Sequence, residues 1–146
     1  MSISSRFAVG VHILTLLEKS EGKPTTSDWI AGSASTNPAV VRRLIAMLGK
    51  AGLTHSQLGA GGGTLLAKPA SAITLLDVYR AVEDGELFAL HNEAPCQRCM
   101  VGRNIQEALQ TTLDRAQHAL ETELGATTIA DISQQVVACN APKVPT

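Results

Sequence analysis

The spacing of apolar residues between positions 37 and 51 predicts an amphipathic helix near the middle of the chain. Its apolar side follows a 3.6-residue period and is formed by Val41, Leu44, Ile45 and Leu48. Asn37 is suited to cap this helix, and Pro38 suits its first position, where a missing N–H costs nothing. Gly52 is typical of a helix end. We therefore expect a helix with one packed side and one solvent-facing side.

The solvent-facing side of this predicted helix is small and basic. It carries Ala39, Arg43, Ala46 and Lys50, with Arg42 on the flank. A shorter helix with capping residues at 25–28 precedes it, and two strand-like runs, 53–58 and 64–67, follow it around a glycine-rich tip. Helix, tight turn, basic helix and hairpin together predict a winged helix-turn-helix. The alternative is an ordinary helical hairpin with a solvated basic side.

The remaining pattern predicts a core helix and a dimer helix. Residues 5–20 are apolar almost all round, so we expect a partner subunit to cover part of that helix. A helix over 74–83 should pack on the core, and 84–100 reads as an irregular loop. The helix predicted at 101–124 carries a stripe near heptad spacing, formed by Val101, Ile105, Ala108, Leu109, Thr112, Leu113, Ala116 and Leu120. This stripe predicts a homodimer. Gly125 should end the helix, and a short last helix should run from Thr127 or Thr128 through Val137, followed by a loose tail over 139–146.

Charge is divided unevenly along the 146 residues, although the net charge is only −1. Residues 1–70 carry seven Lys or Arg and three acidic residues, giving +4, while residues 71–146 carry five and ten, giving −5. The positive half contains the predicted helix-turn-helix, as phosphate binding requires. No apolar run is long enough to span a bilayer and no signal peptide is visible, so we expect a cytoplasmic protein with no membrane partner.

The sequence contains few features that are typical of an enzyme. The Gly59–Gly63 run lacks the Lys-Ser/Thr of a phosphate-binding P-loop. A Cys99–His91 nucleophile pair is conceivable, but nothing else indicates an acyl-transfer site. We therefore expect a protein that is not an enzyme, and a winged-helix interaction module remains the alternative to a DNA-binding regulator.

Several short motifs in order resemble the Rrf-two family (Rrf2) of bacterial winged-helix transcription regulators. They are Asn37-Pro38, Val40-Val41-Arg42-Arg43, Lys50-Ala51-Gly52-Leu53, Ser56, Gly59, Gly61-Gly62-Gly63, Leu66-Ala67 and Val101-Gly102-Arg103-Asn104-Ile105. The resemblance runs from residue 3 to about 136. It implies a mainly α fold with a small β-hairpin wing: a DNA-binding domain over 1–83, a sensor-type loop over 84–100, a dimerisation helix over 101–124, and a C-terminal helix and tail over 125–146.

The same resemblance implies a regulator, in our interpretation a repressor, that binds a roughly palindromic operator in double-stranded DNA as a homodimer. Residues expected at the DNA are Arg6, Thr36, Asn37, Ala39, Arg42, Arg43, Lys50, Ser56, Gly61 and Gly62. Those expected at the dimer interface are Val101, Ile105, Leu109, Leu113 and Leu120. The chain departs from the family in its wing, because Leu58 stands where relatives often have arginine and Thr64 where they have an aromatic residue.

The sensor candidates are His91, Cys96 and Cys99. Cluster-binding relatives use three cysteines within this loop, whereas this loop has two, and Cys139 lies far along the chain. We therefore expect no iron–sulfur cluster and no other cofactor. Cys99 matches the single loop cysteine of cluster-free relatives. Three interpretations stay open: ordinary thiols, a redox switch, or a zinc site with His91 that lacks a fourth ligand. A regulator responsive to a small molecule, without a cysteine sensor, is a further alternative.

Overall fold

The protein is described by a computed structural model that covers residues 4–141. Within that range the helices are α1 (Arg6–Lys19), α2 (Ser27–Ala34), α3 (Pro38–Lys50), α4 (Leu75–Val82), α5 (Met100–Gly125) and α6 (Ile129–Cys139). Two strands, β1 (Thr54–Gln57) and β2 (Gly63–Leu66), form an antiparallel hairpin, and a 3-10 turn spans Ala70–Ala72. The predicted fold class and element order are confirmed. The loose tail predicted for 139–146 falls largely outside the described residues.

Helix α1 lies at the centre of the core. Ile13 and Leu14 are fully buried, and α2, α3, α4 and α6 all pack against this helix. Gly10 allows close packing, because a Cβ there would meet the Val78 side chain at 3.2 Å. The chain's own α6 packs against part of α1, while Ala8 and Val11 line an open groove between the two helices. Cover of α1 by a partner subunit stays a prediction.

Helix α6 is joined to the N-terminal half of the chain by backbone hydrogen bonds as well as by packing. The N–H of Ile129 donates to the Ile73 carbonyl at 2.9 Å, and the N–H of Leu75 donates to the Thr127 carbonyl at 2.9 Å. Ile129 is fully buried in the same core as α1. The segment grouped by sequence as a separate C-terminal part thus completes the core of the winged helix.

Helix α5 contrasts with the rest, since none of its 26 residues is buried. It is joined to the rest of the chain by polar contacts, in which Arg80 lies 3.9 Å from Glu121 and the N–H of Leu87 donates to Gln117 Oε1 at 2.9 Å, and by apolar packing such as that of Gly125 beside Leu76. No helix within residues 4–141 is long and apolar enough to cross a membrane.

Candidate DNA-binding surface and sensor loop

The turn between α2 and α3 is fixed by capping at both of its ends. Ser35 ends α2 in the left-handed conformation with φ of 52°, and the N–H of Thr36 donates to the Ala31 carbonyl at 3.0 Å. Asn37 then starts α3, because its side-chain oxygen accepts from the N–H of Ala39 at 2.7 Å. The side-chain oxygen Oδ1 of Asn37 is therefore used in capping. Thr36 and Ala39 lie at the leading end of α3.

The outward face of α3 is basic and has no acidic partner. Val41, Leu44 and Leu48 are buried beneath it, while Arg42, Arg43 and Lys50 are exposed. Across residues 4–141, no carboxylate forms an ion pair with any of these three cations. Their positive charge is thus available for a ligand rather than neutralised within the chain.

A groove of about 520 Å³ separates α3 from the hairpin. Arg42 and Ala46 line its helix side, and Ser56 and Gln57 line its hairpin side. Ser56 pairs with Thr64 in the strand register and shares a face with the buried Thr54, which places Ser56 toward α3. Ser27, at the start of α2, closes one end. The groove has the hydroxyl, amide and guanidinium groups that commonly hold a nucleic-acid backbone.

The hairpin, called the wing below, is held to the body by a third segment. The N–H of Thr25 donates to the Thr64 carbonyl at 3.1 Å, and the N–H of Thr64 donates to the Thr25 carbonyl at 2.9 Å. A Cβ on Gly63 would lie 2.7 Å from the Thr25 carbonyl, so only glycine fits there. The buried Thr25 hydroxyl also donates to Ser20 Oγ at 2.9 Å, which ties the wing to the end of α1. This anchor was not predicted from the sequence, where Thr25 was grouped with the capping residues at 25–28 and belongs to no periodic apolar pattern.

The wing tip is a tight glycine turn. Gly61 has φ of 75°, and a Cβ on Gly62 would lie 2.2 Å from the Gln57 carbonyl. Leu58, by contrast, projects into solvent with 91% of its surface exposed. The predicted contact residues Gly61 and Gly62 can therefore offer only backbone atoms to DNA.

Arg6 is placed differently from the other predicted DNA contacts. Its guanidinium lies 3.2 Å from Glu83 at the end of α4, and its Nε donates to Ser4 Oγ at 3.0 Å. Within residues 4–141, Arg6 therefore has an ion-pair partner, unlike Arg42 and Arg43 of α3. A phosphate contact by Arg6 stays a prediction.

Comparison with known proteins identifies the family. A sequence model of the Rrf2 family, described as an iron-dependent transcriptional regulator, matches residues 3–135. The chain belongs to the Rrf2 family. It is a DNA-binding transcription regulator with a winged-helix fold, as the motifs on α3 and the wing predicted.

Relatives with known names or structures support this assignment over most of the chain. The candidate HTH-type transcriptional regulator YwnA of Bacillus subtilis is 47% identical over 131 residues, 89% of this chain and 96% of YwnA. The crystal structure of a candidate DNA-binding protein is 42% identical, covers 88% of this chain and 98% of its own, and has a TM-score of 0.71. The structure of CymR, the global cysteine regulator of B. subtilis, is 29% identical with a TM-score of 0.62, covering 92% and 98%.

The loop that carries clusters in some Rrf2 proteins is here a surface segment with two free thiols. Cys96, Cys99 and His91 are all exposed. Among the residues described, no three His, Cys, Asp or Glu side chains come together as a metal-binding group. The donor set of one chain therefore does not fit a cluster, even though the family description names iron. His91 is not gathered with the two cysteines.

Cys99 occupies the N-cap position of α5. The backbone N–H groups of Gly102 and Val101 lower the pKa of the Cys99 thiol, because partial positive charge at a helix start stabilises the thiolate. The side chain accepts no hydrogen bond of strict capping geometry, so the effect is one of nearby N–H dipoles. A turn at Gln97 and Arg98 reverses the chain between the two cysteines.

Gly102 holds this turn against α5. A Cβ at Gly102 would lie 2.3 Å from the Cys96 carbonyl oxygen, so the loop backbone rests directly on the helix. A four-residue turn brings its first and last Cα atoms within about 7 Å, which overlaps the range that a disulfide accepts. Cys96 and Cys99 are exposed free thiols on either side of this turn.

The predicted interface residues on α5 fall into two groups. Val101 is 60% exposed and Leu109 is 38% exposed, whereas Ile105, Leu113 and Leu120 are half-buried. Leu113 lines a small cavity with Phe88 and Gln117 of the same chain. Part of the predicted stripe thus already contacts the chain's own loop, while Val101 and Leu109 face solvent.

Proposed function

We propose that the chain acts in the cytoplasm as a homodimeric repressor that binds a roughly palindromic operator and responds to thiol oxidation in the 84–100 loop. One observation carries the DNA-contact part of the proposal: the exposed face of α3 holds three cations with no ion-pair partner in the described residues, beside a groove lined in part by Arg42, Ser56 and Gln57 and beside an anchored wing. The protein works by binding and does not catalyse a reaction.

The leading end of α3 is the part that enters the major groove in helix-turn-helix proteins. Ala39 and Arg43 lie on its outward face, and Thr36 and Asn37 precede it. Arg43 is suited to a bidentate contact with guanine. Arg42 and Ser56 face the groove between α3 and the wing and are suited to phosphate.

Selection from a random duplex pool, followed by anisotropy titration of the selected sequence, tests the DNA contacts. The double variant Arg42→Ala with Arg43→Ala should bind at least tenfold more weakly, since two charge-assisted contacts are lost. Arg80→Gln is the control, because Arg80 is an exposed arginine on α4, outside this surface. Equal affinity of the double variant and wild type would refute the assigned surface.

The homodimer is supported by α5. A helix of 26 residues with no buried position is unusual in a stable monomer, and its exposed Val101 and Leu109 lie two turns apart on one side. Two-fold pairing of such helices would place two α3 helices on one face, with half-sites about one or two helical turns apart. That geometry is the reason to expect a roughly palindromic operator.

Sedimentation at micromolar concentration tests the dimer. Leu109→Asp with Leu113→Asp should give a monomer and weaken operator binding at the same time. Because Leu113 also contacts Phe88 of the same chain, Leu109→Asp alone is the cleaner variant. A wild-type protein that sediments as a monomer would exclude the dimer proposal.

The thiol response is supported by the position of Cys96 and Cys99 on either side of one turn. The Cys99 thiolate would attack a hydroperoxide, break its O–O bond, release hydroxide or alcohol and form a sulfenic acid. The Cys96 thiol would then attack that sulfur, break the S–O bond and release water as the disulfide forms. The loop rests on Gly102, so closure of the disulfide would change the start of α5. A named relative, CymR, is a cysteine regulator, which agrees with a thiol-related signal.

Operator affinity with reductant and after mild peroxide tests this response. Wild type should bind at least tenfold more weakly when oxidised, and Cys96→Ser with Cys99→Ser should bind equally in both conditions. Cys139→Ser is the control and should behave as wild type. If wild type is unaffected by peroxide, the better candidate is a small-molecule signal, for which the apolar groove of about 360 Å³ between α1 and α6 is a specific site.

A further inference from the structure

The tip of the wing presents one large apolar side chain and no charge. Leu58 directly follows β1 and is 91% exposed, the largest exposure among the big apolar residues of the described chain. The next five residues, 59–63, are four glycines and one alanine. Such a tip has no side chain able to pair with a phosphate, so charge cannot explain what the wing contributes to binding.

The tip is nevertheless held firmly in place. The Gly62 backbone packs on the Gln57 carbonyl, and Gly63 packs on Thr25, in both cases too closely for any Cβ. Thr25 in turn is hydrogen bonded to β2 and to Ser20. Leu58 therefore extends from a preorganised turn, and little conformational entropy is lost when it contacts a ligand.

The wing stands beside the basic face of α3, across the groove lined by Arg42 and Ser56. When α3 enters the major groove, the strand of DNA backbone bordering it would run along that groove. The wing tip then reaches the adjacent minor groove. Proteins that bind the minor groove often use leucine or another apolar side chain in that groove.

We propose that Leu58 is the specificity-determining residue of the wing and favours A·T over G·C base pairs by apolar contact with the floor of the minor groove. This inference rests on the proposed α3 contact and adds a second, independent readout to it. The chemical reason is the guanine 2-amino group, which is the donor that distinguishes G·C from A·T in the minor groove. Leucine would leave that donor buried without an acceptor, which is unfavourable.

An uncharged wing tip should contribute nothing to the salt dependence of DNA affinity. Lys50 or Arg42 at a phosphate releases counterions and steepens the dependence of affinity on salt, by about 0.9 in the logarithmic slope for each phosphate. Leu58 releases none. Removing the leucine side chain should change sequence preference and leave the salt slope as it is.

Inosine provides the decisive probe, because an I·C pair lacks the 2-amino group in the minor groove and presents the same major-groove edge as G·C. The duplex is the one selected by wild type from a random pool, with each flanking pair replaced in turn by A·T, I·C or G·C. At the wing position, wild type should bind A·T and I·C equally and G·C roughly fivefold more weakly, as expected when a buried donor is left partly unsatisfied. Leu58→Ala should bind all three alike with an unchanged salt slope.

Leu58→Arg tests whether the tip reaches DNA at all, and should steepen the logarithmic salt slope by about one. No change in slope would overturn the proposal, as would I·C behaving like G·C in wild type or an A·T preference that survives in Leu58→Ala. Failure of this inference is distinct from failure of the α3 contact: in the first case Arg43→Ala still weakens binding, whereas in the second it does not.

Discussion

The winged-helix body and helix α5 differ in how much of their apolar surface is buried within a single chain. In the body, α1 is surrounded by four helices, and Ile13, Leu14, Leu44 and Leu48 are almost fully buried. In α5, the same kinds of residue remain exposed or half-buried along all 26 positions. The body is stabilised by a core buried within one chain, whereas α5 has apolar side chains that one chain leaves partly exposed. Folding and assembly are therefore separate properties of two regions, and they respond to different substitutions.

Matched leucine truncations should give the largest effect and test this difference directly. Leu44→Ala removes a buried side chain and should lower the free energy of unfolding by about 2–5 kcal/mol. Leu109→Ala, on exposed α5, should change it by less than about 1 kcal/mol when measured on monomer. Urea denaturation checks both values. Similar losses for the two variants would show that α5 belongs to the folding unit.

Substitution of Arg43 should reduce sequence specificity, whereas substitution of Lys50 should reduce affinity for all DNA sequences. Arg43→Ala should cost about 1–3 kcal/mol on the selected operator and less on random duplex, if Arg43 reads a base. Lys50→Ala should weaken binding to both and flatten the salt dependence. Anisotropy titrations at several salt concentrations measure this, and a uniform loss for both variants would remove base readout from Arg43.

A pair of glycine substitutions tests whether the wing anchor acts on DNA binding. Gly63→Ala would push a Cβ into the Thr25 backbone, displace the wing and weaken operator binding by about 1 kcal/mol. Gly32→Ala, on α2, has nothing within 4 Å of the new Cβ and should be neutral or slightly stabilising. Equal operator affinity of the two variants would argue against a role for the anchor.

The smallest expected effect concerns the pH dependence of the Cys99 thiol. The N–H groups of Gly102 and Val101 lower the pKa of Cys99, so its thiolate should persist to lower pH than that of an ordinary cysteine. In a Cys96→Ser, Cys139→Ser background, alkylation of Cys99 should rise at lower pH than in the matched background that retains only Cys139. Identical profiles for the two thiols would contradict the effect of the helix start.

Local patterns in the sequence were sufficient to predict much of the fold. The period of Val41, Leu44 and Leu48 predicted α3, and Asn37 and Pro38 predicted where it begins, because capping depends on adjacent residues. The glycines predicted the wing for the same reason. These features are confirmed by the structure and by the family match.

Longer-range features were harder to predict. The apolar first helix indicated burial on two sides, but sequence alone could not distinguish cover by α6 from cover by a partner, because both present the same apolar chemistry. The bridge from Thr25 to Thr64 spans only one pair of residues and has no period to detect. The contact of Cys96 with Gly102 depends on how a loop closes, which no local pattern determines.

The packing of α6 on α1 has a consequence for the order in which the chain is made and folds. Ile129 must reach the core that Ile13 begins, a closure of 116 residues along the chain, and contacts of such long separation form late. Synthesis proceeds from the N-terminus, so α5 emerges before the core can close. We expect that a nascent chain cannot present a finished α3 surface until α5 already exists.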